Sequence, residues 1–152
     1  EFFDFIIAAN SGKPGSLTTI HANDGPAALK KMATFMYMAV DMSPRIMNEM
    51  ISEAVDVIIQ LGVNERTGAH KILSINEVTN AISSGDSPTI AINPLFTYDH
   101  ATDKWTKRFA TDVLKRKFSQ NGYDPNTYTK IEERGQFDGN SGGLPSYFNK
   151  GD

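Results

Sequence analysis

The residues best equipped for chemistry in this sequence stand in one run, Gly15-Ser16-Leu17-Thr18-Thr19-Ile20-His21-Ala22-Asn23. The run holds two adjacent threonine hydroxyls and one imidazole, and Asp24 follows with a side chain suited to start a helix. Residues 16–20 are β-prone and end at His21; Gly25-Pro26 then enters the first turn of a helix. In open α/β sheets, ligands bind beyond the carboxyl ends of strands, where helix N-termini converge. An imidazole at such a strand tip can donate to a phosphate oxygen and sense whether a terminal phosphate is present. The same ring can equally do no more than cap the turn, and spacing alone leaves both roles open.

Several other chemistries are excluded. A phosphate cradle needs Gly-x-x-x-x-Gly-Lys-Ser/Thr, whereas Gly12-Lys13 is followed by Pro14 and Ile7 stands five before Gly12. No acidic residue closes an apolar strand as a magnesium-holding pair would, and no paired carboxylates suit a glycosidase. His21, His70 and His100 lack metal-ligand spacing. With no cysteine there is no disulfide, thiolate zinc site or thiol nucleophile. The 152 residues carry a net charge of −3, which argues against a general nucleic-acid binder. No apolar run approaches the ~20 residues of a membrane-spanning helix. By itself, the sequence lacks the parts for phosphoryl transfer.

The elements that must position the run follow from periodicity. Phe2, Phe5, Ile6 and Ala9 form one face of an opening helix, which stops at the breakers of 10–15. That patterning from the first residue reads as a cut end at Glu1. Leu29, Met32, Phe35, Met36, Ala39 and Val40 keep the helical period after Asp24. Ser43-Pro44 restarts it as N-cap and first turn, with Ile46, Met47, Met50, Ile51 and Ala54 as the apolar stripe. Residues 55–61 and 71–78 predict two strands joined as an antiparallel hairpin across 64–68. In the second, Ile72, Ser74, Asn76 and Val78 alternate with Leu73, Ile75 and Glu77. A polar linker spans 83–88. Residues 89–98 and 105–110 predict a second strand pair, and Asp112 a helix cap ahead of 113–118. Asp124-Pro125 predicts one more helix ending at Gly135, and 136–152 reads as a flexible tail.

With these residues in view, the chain resembles a known family. Its opening through Gly-Ser-Leu-Thr-Thr-Ile-His-Ala-Asn (15–23) is similar to the "His box" region of the secretion (traffic) ATPases. These serve type II and type IV secretion, conjugation and Tad-type pilus assembly. Ser43-Pro44-Arg45, the Ala54-Val55-Asp56-Val57 strand and Ile75-Asn76-Glu77-Val78 extend the similarity over about residues 1–78. Pro94 to Asp99 adds a fainter likeness to the tail strand of the Tad and conjugation branches.

The resemblance implies an α/β fold: the carboxyl-terminal half of a RecA-like P-loop NTPase domain (1–82), plus a small β-hairpin and helical appendage (89–135). It implies ATP and Mg in an intact parent, with neither bound tightly by this chain, whose P-loop and Asp-Glu motif would lie upstream. The parent would be a homo-hexamer acting on inner-membrane components of a secretion or pilus machine. It would be cytoplasmic and peripheral to the inner face of the membrane, with no nucleic acid expected. The resemblance casts His21 as the residue reaching the terminal phosphate, at once catalytic and cofactor-binding, and Thr19 as its hydroxyl support.

A non-enzymatic interaction module is the alternative. It would use the six methionines of the helix pair or the basic stretch 104–117, which holds six Lys and Arg. Methionines at helical spacing more commonly fill a core, and a charge run is more commonly a solvated face that can also meet anionic lipid or a partner. Trp105 reads as a cross-strand packing residue, and Arg45 as either solvated or reaching a neighbour.

Overall fold

A computed structural model describes residues 2–12, 15–82 and 89–123. The expected linker 83–88, the helix 124–135 and the tail 136–152 lie outside the described residues. Three helices come first: α1 (Phe2–Asn10), α2 (Gly25–Ala39) and α3 (Pro44–Ala54). The Asp24 carboxylate accepts from the Ala27 N–H at 2.7 Å, and Ser43 Oγ accepts from the Ile46 N–H at 3.4 Å. Both caps satisfy an N–H that the first helical turn leaves unpaired, as the sequence predicts. Asn10 ties the end of α1 to α3, donating from Nδ2 to the Met50 carbonyl at 3.0 Å.

Four strands form an antiparallel meander in the order β1 (Val57–Val63), β2 (His70–Ile82), β3 (Ile90–Asp99), β4 (Lys104–Lys107). The ladder between β2 and β3 joins the two sides of the 83–88 connection in one sheet. The result is a mixed α/β structure, with antiparallel pairing throughout the described sheet. The expected strand over 16–20 is not one: the segment lacks ladder pairing, because β-propensity makes no strand without a neighbour to bond. β1 begins two residues later than expected, because Val55 is still the C-cap of α3, its N–H bonded to the Ile51 carbonyl.

The three helices cover one face of the sheet. Ile6, Leu29, Met32, Met36, Met47, Ile51 and Val78 form the buried core, with Ile20, Ile58, Ile90 and Ile92 packed against it. Three of the helix-pair methionines are thus core residues and Met50 and Met42 flank them, while Met38 is exposed. A register shift between Gln60 and Leu61 sets Ser74 opposite Gln60 but Ile72 opposite Leu61. This bulge turns Ile72 to the face opposite Ser74, which simple alternation does not foresee. Gly62 accommodates the bulge, since a Cβ there would stand 2.4 Å from Leu73 Cδ1.

On the other face lies α4 (Asp112–Gln120). Its N-cap is Thr111 rather than the expected Asp112, and that residue is held from β2. The buried Glu77 carboxylate accepts from the Thr111 N–H and Asn93 Nδ2, both at 2.9 Å, and from the Thr111 hydroxyl. Burial raises the Glu77 pKa, but these hydrogen bonds outweigh it and hold the carboxyl below its ordinary value. Lys117 pairs with Asp56, and Leu114 is buried beneath the helix.

At the far end of the sheet, Tyr98 Oη accepts from the buried Asn64 amide at 2.5 Å and donates to Asp103 at 2.6 Å. Lys71 bridges to Asp103 at 3.0 Å. Trp105 pairs across the strands with Tyr98, ring centroids 5.2 Å apart, as expected of a cross-strand packing residue.

Candidate functional site

Residues 15–24 lead into α2 as a largely exposed loop. Gly15 sits at φ +91°, a left-handed conformation that lets the chain leave the preceding turn. Ser16, Thr18, Thr19 and His21 are exposed, Leu17 is 91% exposed, and half-buried Ile20 anchors the run against the core. His21 therefore stands on a loop before a helix rather than at the tip of a paired strand.

Two hydrogen bonds fix this loop, both to backbone carbonyls. Lys31 of α2 donates from Nζ to the His21 carbonyl at 2.8 Å, and Gln60 of β1 donates from Nε2 to the Asn23 carbonyl. Gln60 is itself held: its Oε1 accepts from Ser74 Oγ at 3.2 Å, and that oxygen accepts from Asn76 Nδ2 at 2.8 Å. A polar ladder thus crosses from β2 through β1 to the loop on the helix-covered face. The loop closes tightly where it joins α2, for a Cβ on Gly25 would stand 3.2 Å from Asn76 Nδ2. Lys31, Gln60, Ser74 and Asn76 were not singled out from the sequence. A usable signal was present in the polar Gln60 interrupting the apolar run of β1; Lys31 left none.

Both sequence-predicted site residues, Thr19 and His21, lie on the exposed loop. Among the described residues no hydrogen bond joins the Thr19 hydroxyl to His21. The loop carries hydroxyl and imidazole groups just ahead of the N-terminus of α2, where the Asp24 carboxylate already accepts from the Ala27 N–H. No described loop wraps a phosphate, and no group of three or more His, Asp or Glu among the described residues could hold a metal ion. The described residues of the loop define no cradle or magnesium position. A shallow, open cleft of about 360 Å³ lies at the other end of α2, lined by Tyr37, Met38, Ala39, Val40 and Asp41.

With that geometry in place, comparison with known proteins gives a partial match. The conjugal transfer protein TrbB of Rhizobium radiobacter is 39% identical over 61 residues. The chain is homologous in part to a conjugation protein. The matched stretch covers 40% of this chain, which spans about a sixth (17%) of the relative's length. No protein-family model matches the chain.

Proposed function

We propose that this chain supplies the His-box half of a RecA-like motor ATPase that powers conjugation or a related type IV or type II secretion or pilus machine. The parent works as a homo-hexamer on inner-membrane components, with ATP and Mg held chiefly by residues other than those described here. The observation that carries this reading is His21 itself: an exposed imidazole on a loop held at its own carbonyl by Lys31 and at the Asn23 carbonyl by Gln60. The partial homology to a conjugal transfer protein adds support. Open apolar surface at Leu17, Ile59 and Leu61 also suits a chain that works as part of a larger assembly.

His21 is assigned to donate to the terminal phosphate as charge develops there, which makes it a contributor to turnover more than to affinity. In the full-length parent, His21→Ala is expected to lower ATP turnover about a hundredfold while leaving nucleotide affinity nearly unchanged. Unchanged turnover with weakened binding would reject the role. The chain alone is expected to show no ATPase activity above background; robust turnover would refute the division of labour. For the alternative, a non-enzymatic interaction module, Met32, Met36 and Met47 are consumed in the core while Met38 remains exposed.

A further inference from the structure

We propose that Gln60 is a positioning residue for the His21 imidazole, set by a one-way relay of hydrogen bonds from β2; the inference rests on the phosphate role assigned to that ring. Gln60 and Ser74 stand opposite each other across β1 and β2, and the register shift falls only after them, between Gln60 and Leu61. Asn76 is buried, whereas Ser74 and Gln60 are half-buried. Each group in the relay permits one direction. The Asn76 amide nitrogen can only donate, and it does so to Ser74 Oγ at 2.8 Å. The Ser74 hydroxyl has a single proton, which goes to Gln60 Oε1 at 3.2 Å. With its oxygen so engaged, the Gln60 amide turns its nitrogen to the loop, where the Asn23 carbonyl accepts.

The relay meets the main chain beside His21 at two points. Gln60 holds the Asn23 carbonyl, and Asn76 lies so close to Gly25 that a Cβ there would stand 3.2 Å from its Nδ2. Lys31 adds a third hold, at the His21 carbonyl. Its ammonium also lies 5.8 Å from the Phe35 ring centroid. Lys31 is exposed, and an ammonium on a flexible stem donates in many directions, so it follows the loop wherever the loop goes. The keyed, half-buried amide of Gln60 accepts only one placement. Asn23 is two residues from His21, so that placement sets the origin from which the imidazole reaches. A group that must meet charge developing on a phosphate loses about a hundredfold in rate when misplaced by about 1 Å. Releasing one of the ties should therefore lower turnover about tenfold.

Gln60→Glu is the test, because it keeps the shape and turns the donor into an acceptor facing the Asn23 carbonyl. In the full chain, NMR relaxation should show the backbone order parameters of 21–23 falling from about 0.85 toward 0.6. Gln60→Ala should act in the same direction. Ser74→Ala, which leaves the amide in place without its key, should give about half the fall. In the full-length parent, Gln60→Glu should lower kcat about tenfold and leave the KM for ATP within about twofold. Added to His21→Ala, it should cost nothing further, because Gln60 acts through that ring. The same tenfold loss with and without His21 would overturn the proposal. So would order parameters unchanged in Gln60→Glu, or a loop as ordered in Ser74→Ala as in the unsubstituted chain. Turnover left intact by His21→Ala would instead reject the phosphate role of the ring, while the order parameters would still decide whether the relay holds its loop.

Discussion

Glu77 offers the sharpest test of how the sheet holds α4. It is 2% exposed, and its carboxylate receives hydrogen bonds from Thr111 and Asn93. Removing it by Glu77→Ala strands the donors at the head of α4. A hydrogen bond to a charged group contributes about 1.5–3 kcal/mol, though the two Thr111 bonds and the Asn93 bond do not add independently. A loss of about 3 kcal/mol is therefore expected. Glu77→Gln keeps the shape and one carbonyl acceptor but loses the negative charge at the helix N-terminus, a loss of about 1 kcal/mol. Guanidinium titrations followed by circular dichroism would measure both.

The pH dependence supplies the sign. Because the folded-state pKa of Glu77 lies below its ordinary value of 4.5, the carboxylate stabilises the fold fully above that value. The contribution is lost as pH falls through the lower folded pKa. Asp99 and Asp103 are also held low, Asp99 by the Thr102 hydroxyl and the Ala101 N–H, Asp103 by Tyr98 and Lys71, so the whole protein weakens in acid. The diagnostic quantity is the difference between parent and Glu77→Gln, which should be constant above about pH 5.5 and shrink toward zero below pH 4.5. Equal stability of the two proteins at neutral pH, or a difference that does not change with acid, would refute the assignment of Glu77 as the cap of α4.

Two further expectations concern the ties at the loop and at the far end of the sheet. Gln60→Ala removes the donor to the Asn23 carbonyl, so proteolytic cleavage within 15–24 should accelerate several-fold at little cost in global stability, about 1 kcal/mol. Unaltered cleavage would show that Lys31 alone holds the loop. Tyr98→Phe leaves the buried Asn64 amide without its acceptor and Asp103 with Lys71 but not Tyr98 as a donor, and should cost about 1–2 kcal/mol by thermal melting.

The helices were legible because their signals are local. Asp24 and Ser43 were read as caps from residue type and the Pro beside each helix start, and both accept the expected N–H. The stripe through Met32, Met36, Met47 and Ile51 was read from periodicity and is the core. What escaped depended on residues distant in sequence. Glu77 caps a helix 34 residues away, so the sequence around Asp112 pointed to the wrong cap. The bulge opposite Gln60 depends on how two strands register, and alternation along one strand carries no trace of it. The 16–20 segment shows the converse: β-branched residues state a preference, but only a paired neighbour turns preference into a strand.

The same distinction bears on the candidate site. His21 was found from residue type and context, whereas the groups that hold its loop come from α2 and β1 and leave little local mark. Those groups bind the carbonyls of His21 and Asn23, not their side chains. A tie to the main chain fixes where the loop lies and leaves the imidazole its rotamers, which suits the phosphate contact proposed for it. The tie from Gln60 has a second consequence. It rises from β1, the edge strand of the described sheet, whose Ile59, Leu61 and Val63 are exposed. Proteins seldom leave such an edge uncovered. Whatever covers β1 packs beside the strand that holds Asn23, so changes there would reach the His21 loop through one side chain.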